Sequence, residues 1–120
     1  MQDFRKLRVW QRSQSLTAQV YGATRTLRGR DVVSLRSQLT RSMASISANI
    51  AEGANSAGSR DFARYLQMAI GSASETESHL DLAFRMALIP AADVMPLIDE
   101  VVAIRKMLIV LRRRVLESGA

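Results

Sequence analysis

The chain has 120 residues, with 17 Lys plus Arg against 11 Asp plus Glu, one His, no Cys, two Pro and six Gly. That length suits one domain, and 48% apolar against 23% charged residues is far from a disordered composition. The missing thiols exclude disulfide frameworks, thiol chemistry and zinc ribbons, and no apolar run nears the roughly 20 residues of a membrane span.

Charge is unevenly placed. Residues 1–41 carry nine basic and two acidic groups, residues 42–100 three and eight, and residues 101–120 five and one. Fifteen of the 17 cations are Arg, whose planar fork suits phosphate and carboxylate alike. Basic flanks around an acidic middle fit a polyanion partner, and equally subunits that pair by charge. Near the start, Phe4, Leu7, Val9 and Trp10 interleave with Arg5, Lys6, Arg8 and Arg12. That pattern holds no secretory apolar segment, so the expected location is the cytoplasm.

The first predicted helix covers 7–28, marked by Leu16, Val20, Ala23 and Leu27, and Arg28, Gly29, Arg30 and Asp31 interrupt it. The second covers 34–52 on Leu35, Leu39, Met43, Ile46 and Ile50, and Gly53 to Gly58 reads as a turn. The third covers 60–88, roughly 45 Å long, on Phe62, Leu66, Ala69, Ala73, Thr76, Leu80, Ala83 and Ala87. Ser59 is its expected cap, with Asp61 in the favourable first turn. Pro90 ends this helix or opens the connection after it. Asp93 is the expected cap of the fourth, 93–117, on Leu97, Val101, Ile104, Leu108, Leu111 and Val115. Steps of three and four keep each apolar stripe on one helix side, and nothing sustains the period of two that a strand requires. The expected fold is all-α, a single domain over 1–120, an antiparallel up-down-up-down four-helix bundle.

Two features exceed the needs of one bundle. Ala69, Gly71, Ser72, Ala73 and Ser74 form a small-residue patch in the third helix, matched by Ala44, Ser45, Ser47 and Ala48 in the second. A helical Gly costs about 1 kcal/mol relative to Ala, which is tolerated where another backbone approaches closely. The third helix also carries Tyr65, Met68, Leu82 and Met86 off its main stripe, and the fourth carries Ile98, Val102, Ile109 and Leu116. Helices apolar on more than one face predict a homo-oligomer.

No catalytic, cofactor or metal site is predicted. Gly53, Gly58, Ser59 and Arg60 mimic the spacing of a phosphate loop, but the Lys and the preceding strand are missing. Glu75 and His79 share a helix side one turn apart, yet the further carboxylates and second Glu-x-x-His of a di-metal bundle are not there. Arg41, Asn49, Glu52 and Glu75 stand among small or apolar neighbours and read as a structural polar network that fixes helix register. In an antiparallel bundle Arg5, Lys6, Arg8, Arg12, Arg60, Arg64 and Arg112 to Arg114 gather at one end, and Arg25, Arg28, Arg30, Arg36 and Arg85 at the other. Arg25, Arg28, Arg30, Arg112, Arg113 and Arg114 are the candidate contacts to nucleic-acid backbone, without base readout. Solvated ends, with Arg stems covering apolar surface, are the competing explanation.

The run Leu35, Gln38, Leu39, Arg41, Ala44, Ser45, Ile46, Asn49, Ile50, Ala51, Glu52, Gly53 resembles the signature of a known four-helix-bundle family. That family is named for open reading frames in intervening sequences of large-subunit ribosomal RNA genes. Phe62, Leu66, Ala69, Gly71, Ser72, Glu75 and Leu80 continue the match, as do Phe4, Leu7, Trp10 and Tyr21. The chain departs from common members at Ser47, where a Pro often stands, and at Asn55, Ser56 and Ala57 in the turn. The resemblance implies a ring-like homopentamer related to the accessory variability determinant of diversity-generating retroelements, a basic barrel that associates with a reverse transcriptase and nucleic acid. It therefore implies a non-enzymatic accessory protein whose partners are its own copies, RNA or DNA, and a reverse transcriptase or other larger protein. A protein–protein scaffold with no nucleic-acid role is the alternative.

Overall fold

The computed structural model describes residues 3–119. A single 3₁₀ turn, Phe4–Lys6, precedes four helices: α1 (Arg8–Thr24), α2 (Arg30–Ala54), α3 (Ser59–Arg85) and α4 (Ala91–Ser118). The described residues include no strand. Each helix packs on two others, α1 on α2 and α4, and α3 on α2 and α4, in a body of 50 × 19 × 18 Å. No helix among the described residues is long and apolar enough to cross a membrane.

The apolar stripes close on one core. Leu16 and Val20 of α1, Leu39, Met43, Ile46 and Ile50 of α2, Leu66 and Leu80 of α3, and Val94, Val101, Ile104 and Leu108 of α4 are fully enclosed. Each such aliphatic side chain contributes about 1.5–3 kcal/mol relative to exposure. On α3 the inward positions include Ala63, Ala69, Ala73 and Ala83, all buried. These short side chains let α2 and α4 lie close to α3. Hydroxyl pairs cross the helix contacts where apolar atoms do not fill them: Ser13 with Ser47 at 2.8 Å, Thr76 with Ser42 at 2.8 Å, and Ser45 with Ser72 at 2.7 Å. Such pairing removes the cost of burying a lone hydroxyl.

The helix ends correct several expectations. Helix α1 stops at Thr24, short of residue 28, because the Arg36 guanidinium donates to the carbonyls of Thr24 and Leu27 and so satisfies the exposed end. Leu27 still packs on the core from the turn. Helix α2 begins at Arg30 rather than 34, since Gly29 at φ 117° turns the chain sharply in a conformation that other residues disfavour. It runs on through Gly53, which is helical and buried rather than part of a turn. A Cβ at Gly53 would lie 2.7 Å from the Phe62 ring and 2.9 Å from Tyr65 Cβ, so glycine is there for close approach.

Ser59 and Asp93 do not cap. Gly58 precedes α3 and Pro90 precedes α4, so Ser59 is the first helical residue and Asp93 sits inside the first turn. Helix α3 ends at Arg85, not 88. Its last carbonyls are taken by Ala87 N–H to Phe84 O, at 3.1 Å, and Leu88 N–H to Ala83 O, at 2.9 Å, with Ala87 left-handed at φ 55°. Ala87 thus leaves the predicted stripe. Gly71 faces outward with nothing near the place of a Cβ, so no close backbone approach among the described residues explains it.

Candidate nucleic-acid interface

The helices carry cations to both ends of the body. Arg25 and Arg28 follow the last turn of α1 and Arg30 opens α2, so one turn holds three exposed guanidinium groups. None of the three makes a hydrogen bond or ion pair with a described residue. Arg36, expected in the same cluster, is half-buried and donates Nε–H to Thr24 Oγ1 at 3.2 Å besides closing the end of α1. It belongs to the turn. Arg85 is held by Asp81, 2.8 Å away and one turn back, and this hydrogen bond raises its pKa above the ordinary guanidinium value.

The other end divides into two grooves. One, of about 370 Å³, is lined by Arg60, Arg64 and Arg112 together with Met68 and Leu116. Arg112 is half-buried and donates Nε–H to Ala63 O at 3.2 Å, which ties α4 to α3. Arg64 lies over the Tyr65 ring at 4.5 Å and 3.7 Å from Asp61. The second groove, of about 420 Å³, runs between the start of α1 and α4 and is lined by Leu7, Val9, Met107, Val110 and Leu111. Arg8, Lys106 and Arg114 rim it, and no carboxylate of a described residue does. Arg113 is exposed. Of the six candidate contacts, then, Arg25, Arg28 and Arg30 share one turn, while Arg112, Arg113 and Arg114 spread around the end of α4.

Arg12, also expected among the basic end groups, forms a two-pronged bond with Glu100: Nε to Oε2 at 2.9 Å and Nη2 to Oε1 at 2.6 Å. That hydrogen bond, with the carboxylate's charge, outweighs partial burial and raises the Arg12 pKa. Arg105 likewise pairs with Glu77 across α4 and α3. The four residues expected to form a polar network are not brought together. Arg41 and Glu52 are exposed on α2, Asn49 donates to Ser45 O at 2.8 Å on its own helix, and Glu75 is exposed and 3.4 Å from His79 Nε2. Polar register is fixed by the hydroxyl pairs and by Arg12–Glu100 and Arg105–Glu77. These pairings join residues far apart in the chain, so no local spacing announces them. Nor does any spacing announce that Tyr21, an aromatic residue on α1, stands exposed. No group of three or more metal-binding side chains occurs among the described residues.

A four-helix protein with basic ends and exposed apolar faces is what fold and surface define. The chain belongs to the 23S rRNA-intervening sequence protein family, whose model matches residues 5–110. Its structure is similar to a crystal structure from Bacteroides thetaiotaomicron, described as a protein of unknown function from the S23 ribosomal protein family. The TM-score is 0.76 with 26% sequence identity, over 87% of this chain and 97% of the other. No curated protein matches the chain.

Proposed function

We propose that the chain is a non-enzymatic accessory protein that forms a closed homo-oligomer, a pentamer by resemblance, and holds RNA or DNA by its backbone. The protomer in this reading is an antiparallel up-down-up-down bundle. Supporting that direction, early α1 meets late α2 at Ser13–Ser47 and late α1 meets early α2 at Thr24–Arg36. Ser45–Ser72, Gly53 against Phe62, and Arg112–Ala63 follow the same rule along α3 and α4. Assembly is supported by Met68 and Leu82 on α3, Met86 just past its end, and Met95, Ile109 and Leu116 on α4, all exposed. Subunit contacts on those faces would remove this apolar area from water.

The observation that carries the binding function is the turn with Arg25, Arg28 and Arg30, three exposed guanidiniums with no carboxylate partner among the described residues. Phosphates supply what they lack, and repetition around a ring strengthens each weak contact. The test is oligonucleotide affinity across a salt series, for the wild type and for Arg28→Glu with Arg30→Glu. Binding should fall steeply with salt, and the reversal should weaken it equally on all sequences. Tight binding indifferent to salt overturns the proposal. Mass in solution tests assembly, and a monomer overturns the ring.

The groove between α1 and α4 favours a second reading, a scaffold that docks an acidic, apolar segment of a larger protein such as a reverse transcriptase. A partner retained undiminished after nuclease treatment of the native complex would select it.

A further inference from the structure

Guanidinium groups hold single strands and duplexes alike, so cations do not distinguish them. An exposed aromatic ring does, because only an unpaired base offers its face for stacking. On α1, Trp10 is half-buried against Phe4, with ring centres 5.1 Å apart, whereas Tyr21 is 62% exposed. Arg25 follows one turn later, and Arg28 and Arg30 lie just beyond.

The second half of this surface comes from α2. The Ser13–Ser47 and Arg36–Thr24 bonds fix how α1 lies along α2, and that register sets Tyr21 level with Leu39, next to Thr40. At that level α2 carries a shallow depression of about 490 Å³, lined by Val33, Arg36, Ser37, Thr40, Arg41 and Ala44. Val33 is 58% exposed, and no carboxylate lines the depression. Because the Arg36 guanidinium is turned to the end of α1, the free charge here is Arg41. An exposed aromatic ring on α1 thus stands at the level of a depression on α2 that offers apolar carbon, two hydroxyls and the Arg41 guanidinium, beside a turn bearing three more guanidiniums. These are the elements that hold an unstacked base together with its phosphates.

We propose that the outer face of α1 and α2 is a single-strand site, in which Tyr21 stacks on an unpaired base and Arg25, Arg28 and Arg41 hold the flanking phosphates. This rests on the backbone-binding reading above and adds a preference for unpaired strands to it. Fluorescence anisotropy of the full-length protein with labelled oligo(U), labelled oligo(dT) and a fully paired duplex of equal length tests it. Both single strands should bind more tightly than the duplex, and the tighter of the two identifies RNA or DNA as the ligand. Tyr21→Ala should weaken single-strand binding at least about fivefold and leave the duplex unchanged, while Tyr21→Phe keeps wild-type affinity. Equal affinity for duplex and single strand, with Tyr21→Ala neutral, overturns the stacking site and spares backbone binding. No binding to any probe overturns both. Loss of assembled mass in Tyr21→Ala together with loss of binding places Tyr21 in a subunit contact and also overturns the site.

Discussion

Arg12 and Glu100, 88 residues apart, face each other with two parallel hydrogen bonds and thereby fasten α1 to α4. The pair is partly exposed, with side-chain accessibilities of 33% and 21%, so it lies between a weak surface ion pair and a costly buried one. Its two-pronged geometry is the strong form of such a bond. Removing either partner, as in Arg12→Met or Glu100→Gln, should lower unfolding stability by about 1–2 kcal/mol. A double-mutant cycle in urea that yields no coupling between them would refute this. The sign of the pH dependence follows from the raised Arg12 pKa. Its folded value lies above its unfolded one, so the share that depends on the Arg12 proton is fully present below the ordinary guanidinium range and is lost as pH rises through the folded value, in strong alkali.

Gly53 and Gly71 are both helical, yet replacing each by Ala should act in opposite directions. Helix propensity alone favours Ala by about 1 kcal/mol. At Gly71 nothing lies within 4 Å of the added Cβ, so that gain should appear as a higher urea midpoint. At Gly53 the added atom meets the Phe62 ring and Tyr65 Cβ below 3.0 Å, and the second of these is anchored to backbone. Gly53→Ala should therefore destabilise, by about 1–3 kcal/mol. Lower stability and a smaller assembled mass in Gly71→Ala would show instead that a neighbouring subunit lies against that surface.

Ala87→Gly should stabilise the protein. Ala87 is left-handed at φ 55° and closes α3, a position where a Cβ costs about 1 kcal/mol that Gly avoids. Greater freedom of Gly in the unfolded chain offsets part of this, leaving a gain of about 0.5 kcal/mol. Thermal unfolding of Ala87→Gly beside the wild type measures it, and a lowered Tm would contradict it.

The helices were legible in the sequence because burial is periodic: Leu16 and Val20, Leu39 to Ile50, and Leu97 to Leu108 fall on their stripes through spacing alone. The helix ends were not, because distant side chains set them. Nothing in the first 28 residues announces that Arg36 will close α1, and nothing near Gly53 announces the Phe62 ring. The basic ends were legible as groups of arginines. Which of those arginines stay free was not, since Arg12, Arg36 and Arg112 take partners 88, 12 and 49 residues away. The four polar residues chosen for a network share sequence surroundings but not a helix contact, whereas short Ser and Thr side chains do the pairing at the crossings.

Arg36 and Arg28 give the sharpest separation of folding from binding, since composition treats them as the same kind of residue. Arg36 is half-buried and its guanidinium donates to carbonyls at the end of α1, so Arg36→Met takes this donor from Leu27 O and leaves Thr24 O with the Leu27 N–H alone. Stability should fall by about 1–3 kcal/mol, while oligonucleotide affinity of the folded protein stays near wild type. Arg28 is exposed and meets no carboxylate among the described residues, so Arg28→Met should change stability by less than about 0.5 kcal/mol. Its effect belongs in binding: affinity should drop, and the salt slope should shrink by about one ion for each phosphate that Arg28 no longer neutralises. Urea unfolding and a salt-dependent anisotropy titration on the same two variants measure both quantities. If Arg36→Met loses affinity at unchanged stability, the cation at the α1–α2 turn that matters for phosphate is Arg36, and the separation drawn from its hydrogen bonds is wrong.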